Sequence, residues 1–210
     1  MGSTLPEIPQ SEFFSRLDAA AVEPLSEGAA EKLWLHYREL RRWNPTLSLV
    51  GPGTAGEVVE RHYGEALGGL ALVPPGARNA VDVGSGAGFP GFVVAACRPD
   101  IEVTLVEANA RKWAFLEAAC RRAALPCRCL NARVQTPLPE GLPEVMDLLT
   151  ARALKLDAIV AALEPRLGKQ GRIVFWGGGE GFSAPRGWRI ARQISVAGSL
   201  RRRTLELVRE

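Results

Sequence analysis

The feature that most constrains the fold of this chain is a glycine-rich loop between a buried strand and a helix. The strand is predicted over residues 80–83, the loop reads GSGAGFPG over residues 84–91, and a helix is predicted over 91–97. Glycines let the backbone turn sharply and approach a ligand closely. In open α/β sheets, ligands bind at the carboxyl end of the strands, where such a loop lies. The loop therefore predicts an α/β sheet with a ligand site at residue 84.

After this loop, short apolar strands alternate with helices. The predicted elements are strands over residues 102–107, 127–130, 145–150 and 172–176, and helices over residues 110–123 and 156–167. Residues 188–196 and 200–208 alternate in period two and are joined through Ala197, Gly198 and Ser199, which predicts a hairpin. Parallel βαβ units that close with an antiparallel hairpin predict a doubly wound α/β sheet.

Residues 10–72 are predicted to form a helical region ahead of the sheet. Ser26 can cap a helix, and apolar residues then follow one helical face at positions 30, 33, 34, 37 and 40. Pro45 and the Gly51-Pro52-Gly53 run predict a loop, and a second helix is predicted over residues 56–72. We expect an N-terminal helical extension over residues 1–75 and a ligand-binding core over residues 76–210.

Composition excludes several classes of protein. The 210 residues are 47% hydrophobic and 23% charged, which suits a globular protein with a buried core. No apolar run is long enough for a membrane helix, and the first residues do not read as a secretory leader, so we expect a cytoplasmic protein without a membrane partner. The four cysteines and two histidines lack the spacing of a metal site, and none is predicted. The net charge of +3 neither requires nor excludes nucleic acid.

Two acidic residues bear on which ligand the glycine loop holds. Gly86, Gly88 and Gly91 satisfy the dinucleotide pattern G-x-G-x-x-G. In that case Asp82 would lie beside a pyrophosphate that repels it, whereas S-adenosylmethionine (SAM) offers a cationic ammonium and sulfonium. Glu107, at the end of the next strand, is placed to accept hydrogen bonds from a ribose diol. SAM is the favoured cofactor, with a dinucleotide or a purely structural turn as alternatives.

Four segments together resemble the glucose-inhibited division protein B family, the RsmG-type 16S rRNA guanine-N7 methyltransferases. They are DVGSGAGFPG from Asp82, TLVEANARKWAFL from Thr104, NARVQ from Asn131 and TARAL from Thr150. The Trp43-Asn44 and Arg61-His62 pairs also match this family, and the FPG ending of the loop is its most specific piece. The resemblance implies a class I SAM-dependent methyltransferase (Rossmann-like) sheet. It also implies methyl transfer to N7 of a guanine in the 530-loop region of 16S rRNA.

The resemblance also implies roles for individual residues. The implied cofactor contacts are Gly84, Gly86 and Phe89 at the methionine end of SAM, Glu107 at the ribose, and Val134 and Gln135 at the adenine. Arg152 would lie near the cofactor, and Arg133, Arg152 and Arg203 would be the functional arginines. The implied partner is 16S rRNA or the small ribosomal subunit, held largely through arginines that include the run over residues 201–203. The expected oligomeric state is a monomer.

Three positions depart from the family pattern. The Ser48-Leu49-Val50 run stands where the family has N-L-T, Gln135 stands where an acid is usual, and Trp176 replaces a lysine. Two other interpretations therefore stay open: a SAM-binding homologue that has lost catalysis and binds RNA, and a methyltransferase with a different substrate. Trp176 itself is either a core residue or a platform that stacks on a base.

The chemistry implied by the resemblance asks little of the protein. Guanine N7 carries an in-plane lone pair and no proton, so its attack on a methyl group needs no general base. We therefore predict no histidine or cysteine nucleophile. His62 is then either a packed helix residue or a contact to the substrate.

Overall fold

A computed structural model of the chain describes residues 3–179, 181–196, 199 and 202–210. Its strands are β1 (Asn79–Val83), β2 (Glu102–Glu107), β3 (Arg128–Asn131), β4 (Met146–Arg152), β5 (Leu167–Gly178), β6 (Trp188–Ser195) and β7 (Arg203–Arg209). They form one seven-stranded sheet in the order β3-β2-β1-β4-β5-β7-β6. The neighbours from β3 to β5 pair in parallel, and β7 pairs antiparallel with both β5 and β6. The predicted doubly wound α/β sheet with a C-terminal antiparallel hairpin is confirmed; Ala197, Gly198 and Arg201 lie outside the described residues.

The strand order places the glycine loop at the centre of the sheet. The chain leaves β1 toward β2 and β3 on one side and later returns through β4 on the other. A crevice forms at the carboxyl edge of such a sheet, at the point where the order reverses. The loop that follows β1 therefore opens into this crevice.

Helices cover both faces of the sheet. They are α1 (Gln10–Ala20), α2 (Glu27–Leu47), a π-helical segment (Val59–Gly64), α3 (Glu65–Gly69), α4 (Gly91–Cys97), α5 (Ala110–Arg122) and α6 (Leu156–Leu163). One hydrophobic cluster packs the helices from α1 through α5 against one face of the sheet. It contains residues such as Phe13, Tyr63 and Phe92. A second cluster joins α6 to the other face. Within the described ranges, no helix has the length and hydropathy needed to span a membrane.

The N-terminal helices follow the predicted positions with two differences. Ser26 accepts a hydrogen bond from the Ala29 amide, as expected of the cap of α2. The helix, however, continues through Pro45 to Leu47, where we predicted a loop. Pro45 removes one helical hydrogen bond and crowds the Arg41 carbonyl, but the buried Asn44 holds this turn, since its side chain accepts from the Val50 amide (2.7 Å). Ser48 ends the helix in a left-handed conformation (φ 49°). The predicted helix over residues 56–72 is present, but it is divided into π-helical, α-helical and 3-10 segments.

Candidate functional site

The glycine loop forms a backbone cradle at the end of β1. Gly84, Gly86 and Gly88 have φ values of 70°, 52° and 89°, which L-residues with a side chain rarely adopt. The amides of Gly84 and Ser85 donate to the carbonyl of Val106 at distances of 2.8 and 3.1 Å, so the loop is fixed to β2. The loop is therefore held by backbone hydrogen bonds, and glycine is required in it because Cβ atoms at Gly84 and Gly88 would come within 2.6 Å of Leu154 and 2.8 Å of His36.

Glu107 lies at the mouth of this cradle and is largely buried. Its Oε2 atom accepts a hydrogen bond from the Gly86 amide (2.9 Å), and its Oε1 atom accepts one from the Asn109 amide (2.7 Å). The carboxylate thus joins the glycine loop to the loop that follows β2. Each oxygen keeps a further lone pair for a ribose hydroxyl, so its predicted role stays compatible with the geometry.

Asp82 lies beneath the loop and is fully buried. Its Oδ1 atom accepts a hydrogen bond from the Thr150 hydroxyl (2.7 Å), and its Oδ2 atom accepts none from the residues that the structure describes. Burial raises the pKa of Asp82 to about 6, although the Thr150 bond opposes that shift. A Cβ atom at Gly91 would come within 2.6 Å of the Asp82 Cβ, so the helix start packs directly on this side chain. Its contact with the cationic end of a cofactor stays a prediction.

His36, which the sequence analysis did not single out, fixes the loop from α2. It is fully buried, and its Nε2 atom lies 2.9 Å from the carbonyl oxygen of Ala87. The carbonyl can only accept, so Nε2 carries the proton and the Tyr63 hydroxyl donates to Nδ1 (2.7 Å). Burial lowers the pKa of His36 to about 3, which keeps the ring neutral. Its position on the apolar face of α2, three residues after Leu33 and four before Leu40, is the signal that could have identified it.

A second group of side chains lies at the carboxyl ends of β4 and β5. We call it the Glu65 cluster, and it comprises Arg61, His62, Glu65, Arg152 and Arg202. Arg202 donates a hydrogen bond to Oε1 of Glu65, and the Arg61 Nε atom lies 3.6 Å from the same oxygen. The Arg152 Nη2 atom lies 3.7 Å from Oε2 of Glu65. Three guanidinium groups thus surround one buried carboxylate.

His62 holds Arg152 in this cluster. Its Nδ1 atom accepts a hydrogen bond from Nη2 of Arg152 (2.8 Å), so its Nε2–H donates to the Thr54 hydroxyl (3.0 Å). Burial, followed by the charges of Arg152 and Arg61, lowers the pKa of His62 to about 3. The ring also stacks on Phe89 of the glycine loop, with centroids 5.3 Å apart. Of the two roles left open for His62, the structure supports a packed residue, and one that orients Arg152.

Trp176 is a core residue of this region. It is 2% exposed, and its Nε1–H donates to the backbone carbonyl of Glu65 (2.9 Å). A Cβ atom at Gly69 would lie only 2.3 Å from its ring, so α3 packs closely against the indole. The interpretation of Trp176 as a core residue is therefore confirmed, and it fixes the backbone that presents Glu65.

The cluster lines a small cavity of about 140 Å³. Its walls include Glu65, Arg152, Ala153, Trp176, Gly177 and Arg202. Because β4 pairs with β1, this cavity lies one strand away from the glycine loop. The site therefore has two adjoining halves: a cradle made of backbone and a cavity lined in part by the charged side chains of Glu65, Arg152 and Arg202.

The predicted functional arginines do not meet at one point. Arg152 ends β4, Arg133 is exposed after β3, and Arg203 begins β7. Two strands separate β3 from β4, which puts their ends about 14 Å apart. Neighbouring residues of a strand face opposite sides of a sheet, and Arg202 rather than Arg203 reaches Glu65.

The predicted adenine contacts lie with Arg133 after β3. Val134 is half-buried and packs against the second hydrophobic cluster, on the face of the sheet that α6 covers, while Gln135 is exposed. Phe89 is 5% exposed and packs against His36, His62 and Tyr63. The Arg152 guanidinium carbon lies 5.9 Å from its ring centroid. Any contact of Phe89 with a cofactor therefore involves the small part of its ring that these residues leave open.

Comparison with known proteins relates the chain to the rRNA small subunit methyltransferases. The profile of the family described as "GidB: rRNA small subunit methyltransferase G" matches residues 29–182. Proteins named ribosomal RNA small subunit methyltransferase G are similar: the one from Methylobacterium radiotolerans is 41% identical over 155 residues, 72% of each chain. The one from Paramagnetospirillum magneticum is 37% identical over 153 residues, also 72% of each chain.

Solved structures with low sequence identity share the fold. A ribosomal protein L11 methylase from Lactobacillus delbrueckii subsp. bulgaricus has a TM-score of 0.57 at 16% identity. The match covers 71% of this chain and 79% of the methylase chain. TrmN from Thermus thermophilus has a TM-score of 0.53 at 18% identity, with 72% and 53% covered. The family match spans the glycine loop, Glu107, His62 and Arg152. The chain therefore belongs to the GidB family, rRNA small subunit methyltransferase G.

Proposed function

We propose that this chain transfers a methyl group from SAM to N7 of a guanine in the 530-loop region of 16S rRNA. The observation that carries the proposal is the match to the rRNA methyltransferase family over residues 29–182. That range contains both halves of the site, the glycine cradle and all of the Glu65 cluster except Arg202. The rRNA substrate comes from the family, and the position on the base follows the resemblance described above.

The residues of the cradle fit SAM. Three glycines with positive φ give the loop a tight turn that other residues rarely adopt, and Glu107 lies where a ribose can bind. The orphaned Oδ2 atom of Asp82 gives the buried side of the cradle a negative character that suits a cationic ligand and disfavours a pyrophosphate. SAM, when bound, supplies a methyl group that its sulfonium already activates.

The task left to the protein is positioning. Holding two reactants in line can supply about 7–11 kcal/mol of a barrier. Arg152 is held between His62 and Glu65, one strand from the cradle, and it has further N–H groups to donate to O6 or to a phosphate. His62 uses both ring nitrogens in hydrogen bonds and has a pKa of about 3, so it is not a proton acceptor near neutral pH. This agrees with a reaction that needs no general base.

Phosphate contacts would come from basic residues around the crevice. Arg133 is exposed and extends from the loop after β3, while Arg111 and Lys112 open α5 beside it. Arginine contacts to phosphates dominate the affinity of most nucleic-acid complexes and weaken as salt is added. Such contacts at the β3 side would hold the RNA while the Glu65 cluster receives the base.

The test is methyl transfer to the natural substrate. The protein is incubated with radiolabelled SAM and small ribosomal subunits from cells that lack the modification, and the rRNA is digested to nucleosides for mass spectrometry. Label in 7-methylguanosine is expected, and subunits from cells that already carry the modification serve as the unlabelled control. SAM binding by calorimetry without any transfer to rRNA would contradict the proposal and favour the RNA-binding homologue. Transfer to another nucleoside or a small molecule would favour a different substrate.

A further inference from the structure

We propose that Glu65 selects guanine by accepting hydrogen bonds from the N1–H and N2–H groups of its Watson–Crick edge. The inference rests on the proposed function, because it assigns a side chain to recognition of the base that is methylated. It makes Glu65 a specificity-determining residue in the half of the site that contains the Glu65 cluster and its cavity. We call this the acceptor half, because it would receive the base.

The cavity beside Glu65 is placed to receive a base. Val83, the residue before the glycine loop, is the register partner of Ala151, and Arg152 follows directly. The Arg152 guanidinium carbon lies 5.9 Å from the ring centroid of Phe89, which belongs to the loop. A base held in the cavity of about 140 Å³ would therefore lie next to the methyl donor.

Among the side chains of the described residues that line the cavity, one can accept from the donor edge of guanine. N7 and O6 form one edge of the base, and N7 must face the methyl group, so recognition falls to the N1–H and N2–H edge. Arg152 and Arg202 are donors only and can reach O6 or a phosphate. The Trp176 Nε1–H is already bound to the Glu65 carbonyl. Among the described residues that line the cavity, Glu65 alone carries a carboxylate.

The Glu65 carboxylate is both fixed and partly free. Its Oε1 atom is bound by Arg202, whereas no hydrogen bond reaches Oε2 from any residue that the structure describes. The Arg152 Nη2 atom, at 3.7 Å, is close enough to hold the negative charge but is beyond hydrogen-bond distance. Its backbone is fixed by Trp176, so the carboxylate is positioned before a base arrives. An adenine in the same place would present an unprotonated N1 to this carboxylate and would be repelled.

The experiment replaces one group on the base and one on the protein. Small-subunit rRNA is assembled by ligation with guanosine or inosine at the methylated position; inosine keeps N7, O6 and N1–H but lacks the N2 amino group. For the parent protein we expect kcat/KM to be at least about tenfold lower on inosine, because a hydrogen bond to a charged group is lost. In Glu65→Gln the preference for guanosine is expected to shrink to within about threefold. Glu57→Gln is the matched control, because Glu57 also pairs with Arg61 but does not line the cavity.

Each outcome decides a different question. A merely structural Glu65 would lower the rates on both RNAs together and leave the preference unchanged, which would overturn the inference. Equal rates of the parent protein on guanosine and inosine would overturn it as well, while leaving the proposed function intact. No transfer to guanosine-containing rRNA would overturn the proposed function itself. If Glu65→Gln fails to fold, Glu65→Asp keeps the charge, and its shorter reach is expected to reduce the preference severalfold.

Discussion

The two halves of the site are built in different ways. The cradle after β1 consists of backbone, and its fixing contacts join the ends of β1 and β2. The Glu65 cluster consists of four charged side chains and the neutral His62, which come from the π-helical segment, α3, β4 and the residue before β7. The elements that form the cradle are consecutive in the sequence, with His36 of α2 as a distant support, whereas the Glu65 cluster is assembled from distant parts of the chain. The difference suggests that cofactor binding and substrate choice can be changed separately.

The largest expected effect concerns the core beneath the Glu65 cluster. Replacement of Trp176 by alanine removes a buried indole and its hydrogen bond to Glu65, and it should lower the free energy of unfolding by about 3–5 kcal/mol. Urea denaturation measures this loss, and Trp43→Ala, at a half-buried position, should cost clearly less. Equal free energies of unfolding for Trp176→Ala and the parent would show that packing of the Trp176 indole does not stabilise the core beneath the Glu65 cluster.

Substitution of Gly88 is the most direct way to disturb the conformation of the glycine loop. Alanine there is strained at φ 89°, and its Cβ atom would lie 2.8 Å from Nε2 of the buried His36. We expect SAM affinity, measured by calorimetry, to fall about 100-fold, which corresponds to about 3 kcal/mol of strain and displacement. Gly68→Ala is the control, because no atom lies within 4 Å of its Cβ position. SAM affinity equal to that of the parent in Gly88→Ala would show that the loop conformation is not required.

His36 and His62, one beside each half of the site, make the free energy of unfolding depend on pH. Burial lowers the pKa of both His36 and His62 to about 3, whereas the unfolded chain binds these protons near pH 6.5. Stability is therefore lost as pH falls from about 6.5 toward 3, and each histidine should cost about 2 kcal/mol between pH 7.5 and 5.0. In urea denaturation, the stability advantage of the parent over His36→Gln or His62→Gln should shrink by that amount at pH 5.0.

The same variants separate the two halves by function. At pH 7.5, His36→Gln should weaken SAM binding, because a glutamine side chain does not reproduce the ring that bonds the Ala87 carbonyl while packing on Phe89 and Phe92. His62→Gln should leave SAM affinity close to that of the parent and slow methyl transfer, because Arg152 is less well oriented. A reversed pattern would assign the histidines to the opposite halves.

The smallest effect is expected at the exposed rim. Arg133→Ala removes one cation at the β3 side, so the slope of log affinity for rRNA against log salt should fall by about 1. Affinity for SAM should not change. A filter-binding titration over several salt concentrations measures the slope, and an unchanged slope would remove Arg133 from the RNA-binding surface.

The sheet and the cradle could be predicted from the sequence because their signals are local. The strand that precedes Gly84, the helix that follows it and the acid at position 107 all lie within one βαβ unit. The predicted end of α2 is wrong, because Pro45 indicates a break, whereas contacts such as the Asn44–Val50 hydrogen bond keep the last turn helical. Even so, the position and order of nearly every element followed from periodicity and turn residues.

The acceptor half could not be predicted in the same way. Arg152 and His62 are 90 residues apart in sequence, Trp176 and Glu65 are 111 apart, and Arg202 and Glu65 are 137 apart. No periodicity carries information over such distances, so the sequence does not single out Glu65, and it predicts Arg202 only as one of the arginines over residues 201–203. The position of His36 on the apolar face of α2 indicates burial, but the sequence does not show that its partner is the Ala87 carbonyl, 51 residues away.

The most direct test of two separable halves is Arg152→Ala. Arg152 was assigned both to the cofactor and to the functional arginines, and in the structure it contacts His62 and Glu65. SAM affinity by calorimetry and single-turnover methylation of unmodified small subunits are measured on the same preparation. The account predicts a SAM Kd within about threefold of the parent and a rate at least about 100-fold lower, the size of a lost transition-state contact. A SAM Kd weakened as much as the rate would contradict it.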